Sequence, residues 1–360
     1  MGARPRPATV IDPMDGAELI CVVHVHSVYS DGTGTVPEIA AAAARTGAHA
    51  VVITDHDDTR AAAEAGWHDG VLVVAGHEIS PAHGSHLLAL GPPRPVRHRG
   101  RTLAAALDEV HAAGGLAIAA HPFSRGGWLL GRAGRAAPFG DLRRGVDGIE
   151  VWSLVTDTLE HIRSPWRLVR FARDPDAILT DPPAANLAAW DALGARRRVP
   201  AIGGLDAHQY GIRRGDRVVV RTMAYERTFA LLRTHVVLDR PPTGDAAADT
   251  AALYAAIAAG RAFVARDSLA DATGFRFGAD ADGPAMGEEA AFAGPVELVA
   301  RAPADCELRL WRDGRLIAGH ARTRELRHVA RAPGVWRVSA HLRHRGRLRT
   351  WVLGNPVYLR

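Results

Sequence analysis

Cys21-Val22-Val23-His24-Val25-His26, with the turn Ser30-Asp31-Gly32 close behind it, decides how this chain is read. The run is apolar apart from its two histidines and has the length of a buried strand. Side chains at i and i+2 of a strand leave from the same face. His24 and His26 therefore project together, and Asp31 lies one short loop away. Two imidazoles and a carboxylate converging at a strand end are the beginning of a metal site.

The same device recurs along the chain. Thr54-Asp55-His56-Asp57 ends the run Ala50-Val51-Val52-Ile53. Glu78 ends Val71-Leu72-Val73-Val74-Ala75-Gly76-His77, and His86 opens Leu87-Leu88-Ala89-Leu90. His121, followed by Pro122, ends Leu116-Ala117-Ile118-Ala119-Ala120. Glu150 sits in Gly148-Ile149-Glu150-Val151-Trp152. Asp206 and His208, again at i and i+2, close Val199-Pro200-Ala201-Ile202-Gly203-Gly204-Leu205. Nearly every group stands at the C-terminal end of an apolar run or in the loop just after it, where α/β folds collect their chemistry; His86, which opens its run, is the exception. Singly, each has a plainer account: a hydrogen-bonded structural histidine, or Asp55 and Asp57 capping a helix. Jointly that account fails. Burying so many ionisable groups at one rim costs on the order of several kcal/mol per unpaired charge, and divalent cations reverse the sign.

The order His-x-His, Ser-Asp-Gly, Thr-Asp-His, strand-end Glu, His-Pro and Asp-x-His resembles the polymerase and histidinol phosphatase (PHP) superfamily over roughly residues 20 to 210. The finer pattern of Glu78, Gly84-Ser85-His86-Leu87-Leu88-Ala89-Leu90-Gly91, Gly148 to Trp152, Asp206-Ala207-His208-Gln209 and the tail Trp351 to Leu359 is similar to its carbaryl-hydrolase-like branch. The resemblance implies a distorted seven-stranded (β/α)7 barrel and a trinuclear centre. His24, His26, Glu78 and Asp206 would hold one metal. Glu78 would bridge to a second, held also by His86 and His121, with His83 an alternative to His86. Asp31, His56 and His208 would hold a third. His77 points to the opposite strand face from Glu78 and reads as structural.

Capping and periodicity place helices from Thr35 to Ala44 (capping box Thr35-Val36-Pro37-Glu38, stop at Gly47), Thr59 to Trp67, Thr102 to Ala113, Leu187 to Arg197 and Asp249 to Ala259. Alternating strands and helices argue an α/β fold with a parallel barrel. Ser124 to Leu142 and Leu154 to Pro183 break the rhythm and read equally as substrate lids or surface loops. From about Gly274 the pattern becomes two-residue alternation, with Asp313-Gly314 as a hairpin turn. This predicts a small C-terminal all-β sandwich, open to packing on the barrel or to an oligomer contact. The expected division is an N-terminal extension over 1–18, a metallohydrolase barrel over 19–272 and the β-sandwich over 273–360.

The 360 residues contain 47% hydrophobic types and carry a net charge of +5 with a pI near 9.8. All 44 basic residues are arginine. They are spread along the chain rather than interleaved with aromatics, so composition bias explains them better than nucleic-acid binding. Without lysine, a carboxylated lysine cannot bridge the metals; Glu78 is the candidate bridge. Cys21 and Cys306 form no motif, no apolar signal core opens the chain, and no run is long enough to span a membrane, so a cytoplasmic protein is expected.

No Gly-x-Ser-x-Gly elbow supplies a nucleophile. The expected reaction is hydrolysis by a metal-bound hydroxide using two or three divalent ions (Zn, Mn or Fe), with Asp206 or His208 moving the proton. A phosphoesterase acting on a small phosphorylated metabolite or nucleotide is the first expectation, with Arg125, Arg163, Arg213 and Arg214 as phosphate contacts. A carboxyl-ester or carbamate hydrolase is the second, with Trp128, Trp152 and Trp166 lining an apolar pocket. A non-catalytic, metal-stabilised interaction module is the third.

Overall fold

The computed structural model describes residues 16–80, 86–91, 102–127, 139, 141–215, 217–280 and 283–360. Most of the expected N-terminal extension, His83 and Trp128 lie outside the described residues. The chain opens with β1 (Ala17–Val25), α1 (Val36–Thr46), β2 (Ala50–Ile53), β3 (Gly66–His68), β4 (Val71–Ala75), β5 (His77–Ile79) and β6 (Leu87–Leu90). It continues with α2 (Leu103–Ala112), β7 (Leu116–Ala119), β8 (Gly148–Ser153), α3 (Leu154–Glu160), α4 (Pro165–Arg173), α5 (Ala184–Gly194) and β9 (Ala201–Gly204). A hairpin of β10 (Gly211–Arg214) and β11 (Arg217–Arg221) leads to α6 (Tyr225–Phe229), β12 (Arg233–Leu238), α7 (Ala246–Ala259) and β13 (Ala262–Ala265). The C-terminal strands are β14 (Arg276–Ala279), β15 (Glu289–Ala290), β16 (Val296–Arg312), β17 (Arg315–Ala330), β18 (Gly334–His344), β19 (Arg347–Gly354) and β20 (Val357–Leu359).

Two sheets position the site. One runs β14-β16-β18-β19-β13-β12-β1-β2-β4-β3 along its main path, the other β5-β6-β7-β8-β9. Backbone bonds join them next to the chemistry: Leu205 N–H to Val23 O at 2.9 Å, His26 N–H to Ala207 O at 2.9 Å and Glu78 N–H to Asp55 O at 3.0 Å. The pairs β1/β2, β2/β4, β7/β8 and β8/β9 are parallel, whereas β5/β6 and β6/β7 are antiparallel. The strict parallel alternation expected from the sequence thus breaks at β5 to β7. β2, β4, β6 and β8 are buried on both faces, which is why they read as unbroken apolar runs.

Local signals explain where the helix expectations succeed. Thr35 accepts from Glu38 N–H, Glu38 accepts from Thr35 N–H at 2.8 Å, and Gly47 ends the helix at φ 76°. α1 lays Val36, Ile39, Ala40 and Ala43 on the core. Thr59 to Trp67 is not an α-helix: it is a 3-10 turn over Arg60–Glu64 followed by β3. Gly66, at φ 137°, stops the turn after five residues and redirects the chain into a strand. α5 begins at Ala184, three residues before the predicted Leu187, and α7 begins at Ala246 because Asp245 caps it. Leu154 to Pro183, read as irregular, contains α3 and α4.

The C-terminal strands are mainly antiparallel, and Asp313 and Gly314 both take positive φ in the β16–β17 turn. They continue the first sheet rather than standing apart, since β19 pairs with β13. Their core also takes Phe263, Ala265 and Ala272 from before the expected boundary at 272/273. Asp191 on α5 holds the buried Arg337 of β18 through two bonds of 2.6 and 2.7 Å. No helix among the described residues is long and apolar enough to cross a membrane.

One buried polar junction makes stability pH-dependent. His235 on β12 is fully buried between Glu18 at 2.7 Å and Asp267 at 3.0 Å. Arg276 faces Glu18 at 2.5 Å and Arg233 faces Asp267 at 3.2 Å. Burial disfavours the imidazolium, but bonds to Asp267 and Glu18 outweigh it and push the His235 pKa up to about 9 from 6.5. A raised folded value means the stabilisation is complete below about pH 6.5 and is lost as pH rises through about 9. The difference in unfolding free energy between wild type and His235→Gln is expected to be about 3 kcal/mol at neutral pH and to shrink towards pH 10. Denaturant melts at pH 7, 8.5 and 10 measure it; a pH-independent difference contradicts the assignment.

Candidate metal centre

The nine predicted ligands gather at one place, five of the histidines around a single side chain. Glu78, on β5, is completely buried and is touched by five imidazoles from four parts of the chain. Its Oε2 lies 3.1 Å from His24 Nε2, 3.3 Å from His26 Nε2 and 3.2 Å from His56 Nδ1. Its Oε1 lies 2.8 Å from His86 Nδ1 and 3.2 Å from His121 Nε2. Asp206 Oδ1 is 3.3 Å from His26 and 3.5 Å from His24. Asp31 is 3.2 Å from His208 and 3.9 Å from His56.

Three sets of donor atoms lie within 4.8 Å of one another: His24, His26, Glu78 and Asp206; His26, Asp31, His56 and His208; His56, Glu78 and His86. The first matches the set that the resemblance implies for one metal. The second adds His26 to the implied trio. In the third, His56 stands where His121 was expected, although His121 approaches the same Glu78 oxygen as His86.

The donors fit a cation better than they fit each other. A carboxylate has about four acceptor positions, so five imidazoles cannot all be satisfied by Glu78. His26 Nε2, His56 Nδ1 and His86 Nδ1 are buried without a hydrogen bond of acceptable geometry, although each is within 3.3 Å of Glu78. These three nitrogens all face the Glu78 carboxylate. The set contains nitrogen and oxygen but no thiolate, which suits Zn, Mn or Fe.

Outer groups orient the donors. Glu150 Oε1 faces His24 Nδ1 at 2.9 Å, and its Oε2 accepts from His121 N–H at 2.6 Å. This is the carboxylate–histidine arrangement that fixes a ligand's tautomer. His208 Nδ1 lies 3.0 Å from Asp206 O, leaving Nε2 for the site. The Thr156 hydroxyl donates to Asp206 Oδ2. Asp55 is not in the cluster; it accepts from Ser27 N–H, Ser27 Oγ and Ser30 Oγ at 2.6–2.7 Å and so ties down the loop that carries Asp31. Tyr225 donates to His26 O at 2.6 Å. His24, His121 and Asp206 take positive φ of 67°, 27° and 52°. Such backbone costs about 1–3 kcal/mol per residue and persists where the surroundings over-determine it.

The carboxylates favour positive charge on His24, His26 and His121. Burial penalises charging throughout. At His24, Glu78, Glu150 and Asp206 outweigh burial and raise the pKa well above its ordinary value. At His26, Asp206 and Glu78 raise it to about 9, and His121 rises beside Glu78. Conversely, the histidines hold Glu78, Asp206 and Asp31 below the usual carboxylate range. At His56 burial prevails over Glu78, and the value falls to about 4.

Residues 23–95 match the PHP domain family. The matched stretch contains His24, His26, Asp31, His56, Glu78 and His86; His121, Asp206 and His208 lie beyond it. The match supports placing the chain in the PHP superfamily. No curated protein matches the chain. Similar solved structures include a two-domain protein from Bacteroides vulgatus described as containing a predicted PHP-like metal-dependent phosphoesterase (15% identity, 98% of this chain and 100% of that chain, TM-score 0.43). PsfC from Pseudomonas syringae (16% identity, 64% and 87%, TM-score 0.38) is another, as is an amidohydrolase from Chromobacterium violaceum (19% identity, 56% and 90%, TM-score 0.34). The PHP match and the His/Asp/Glu cluster together support metal-dependent hydrolase activity.

The predicted substrate contacts are placed differently from the ligands. Arg213 is drawn to Glu38 and Thr33 O, both at 2.9 Å. Arg125, Arg163 and Arg214 are exposed. Trp152 is completely buried in the core and Trp166 is 82% exposed. The aromatic that does reach the cluster is Tyr210, whose ring stacks on His208 with centroids 5.2 Å apart and planes 6° apart. Its position two residues beyond His208 was the available signal. Glu150 was visible as an acid inside an apolar run; Tyr225 had no sequence signal.

Proposed function

We propose that the protein is a PHP-type metallohydrolase, with the (β/α)7 unit over 19–272, the C-terminal β domain over 273–360, and a centre of two or three divalent ions. The observation that carries this reading is the Glu78 carboxylate enclosed by five histidines. His24, His26, Glu78 and Asp206 would hold one ion, Glu78, His86 and His121 a second, and Asp31, His56 and His208 a third. Bound there, divalent cations would activate a water at neutral pH and polarise the oxygen under attack. The chain's own groups do the rest. Glu150 orients His24 and His121, and Thr156 holds Asp206 Oδ2. Asp206, held by Thr156, or His208, whose Nδ1 faces Asp206 O, takes and returns the proton.

A phosphoester of a small metabolite is the first substrate class, because a multinuclear cationic centre complements phosphoryl oxygens. The second reading, a carboxyl ester or carbamate, is favoured by Tyr210 at the rim. Loading the protein with Mn, Zn or Fe and assaying phosphomonoesters, phosphodiesters, aryl esters and carbamates separates them. His121→Ala should lose upwards of about a hundredfold in activity, beyond what outer-shell changes cost. Turnover of none of these classes by metal-loaded protein contradicts the hydrolase reading.

A further inference from the structure

The β10–β11 hairpin leaves the centre directly after the Asp206/His208 pair, and its two faces differ. Its register pairs Gly211 with Arg221, Ile212 with Val220 and Arg213 with Val218. Thr222 N–H donates to Tyr210 O at 2.7 Å, which extends the ladder by one row to Tyr210. Alternate rows of a ladder share a face. Arg213, Val218 and Arg221 therefore lie on one face. That face is anchored: Arg213 binds Glu38, and Val218 and Arg221 line a cavity of about 360 Å³ against α1 and α6. Tyr210, Ile212 and Val220 lie on the other. Val219 is the extra residue of a bulge, a feature that re-aims a strand beside a functional site.

The second face starts at the cluster and continues outward as apolar surface. Tyr210 is stacked on the ligand candidate His208. Ile212 and Val220 follow it, 54% and 53% exposed. With the bulged Val219, 55% exposed, three branched aliphatic side chains are left open on this two-stranded ribbon and serve no core. The continuity of Ile212 and Val220 with Tyr210 places them where the part of a substrate remote from the reacting bond would lie. We propose that Tyr210, Ile212 and Val220 form a specificity wall for an aryl or branched-alkyl group of the ester that the centre hydrolyses. This rests on the hydrolase reading but holds for either ester class. It adds a selection that the cluster, built from imidazoles and carboxylates, cannot make.

The test is calorimetric binding to Mn-loaded protein of two matched pairs, phenylphosphonate against methylphosphonate and phenylacetate against acetate. Wild type should bind the phenyl member at least about tenfold tighter in one pair, the scale of burying a few apolar groups. The pair that responds identifies phosphoryl or carboxyl chemistry. The double variant I212S/V220S, whose residues touch no metal ligand candidate, should bring that ratio to within about twofold. Tyr210→Phe should keep the ratio, and Val218→Ser, on the anchored face, should leave it at the wild-type value. A wild type with no phenyl preference in either pair, or a double variant that retains the preference, overturns the wall. Phenyl preference in the acetate pair alone would sink the phosphoester reading while leaving the wall intact.

Discussion

Glu78→Gln is expected to leave a folded protein that binds little metal and has lost turnover by well over about a hundredfold. The substitution keeps the shape and removes only the charge and one acceptor. Replacing partners outside the ligand sphere already costs about 10–100-fold in affinity or activity; Glu78 touches five histidines itself. The amide nitrogen would also present a donor where the imidazoles need an acceptor. The loss should therefore fall on all metal positions that Glu78 shares, not on one. Metal content by plasma emission spectroscopy, alongside near-UV circular dichroism to confirm folding, checks it. A folded Glu78→Gln protein with wild-type metal content would show that the carboxylate is a buried ion-pair partner only.

Gly204→Ala is expected to be nearly as damaging, though Gly204 donates nothing to the site. A Cβ there falls on Glu150 Oε1 and lies 3.0 Å from the His24 Cβ. Glu150 cannot swing aside, because its two oxygens are committed to His24 and His121 and it is completely buried. Either Glu150 releases His24 or β9 shifts away from β8, and both disturb the ligands. Metal affinity should drop by about 10–100-fold, the range for outer-shell partners, with the apparent melting temperature also lowered. Gly203→Ala does not serve as a neutral control, since its Cβ would meet Val264. Glu150→Gln does distinguish the causes: it should lower metal affinity while sparing the packing. Wild-type metal affinity in Gly204→Ala would show that the strand end relaxes freely and that Glu150 does not set the ligand geometry.

The candidate ligands were legible because strand-end chemistry leaves a local trace. An imidazole or carboxylate at or beside the end of an apolar run costs folding energy unless something pairs it, so nine candidate residues could be named before any contact was known. Their grouping was less legible. His56 approaches Glu78 as closely as His24 does, because a single backbone bridge sets Asp55 to Asp57 against Glu78. Nothing in spacing announces a bridge between residues more than twenty apart. The positive φ at His24 arises where the β1/β2 register shifts between Val23 and Val25, so simple i, i+2 alternation was an incomplete account of why both histidines face inward. Elements whose periodicity is short or mixed escaped altogether. β10 and β11 are largely exposed, α4 buries only Phe171 fully, and five residues of 3-10 turn resemble a helix in composition. The C-terminal strands were visible from alternation, but their pairing with β13 depends on residues some ninety positions apart.

The central claim is that the histidines and acids of β1, β5, β9 and their loops converge to hold cations rather than to neutralise one another. Anomalous diffraction from crystals grown with Mn, recorded either side of its absorption edge, tests this directly. The account predicts Mn peaks at coordination distance from Glu78, with His24, His26 and Asp206 around one of them. Density showing Glu78 hydrogen-bonded to protonated histidines in Mn-saturated crystals, with no anomalous peak between them, would contradict it.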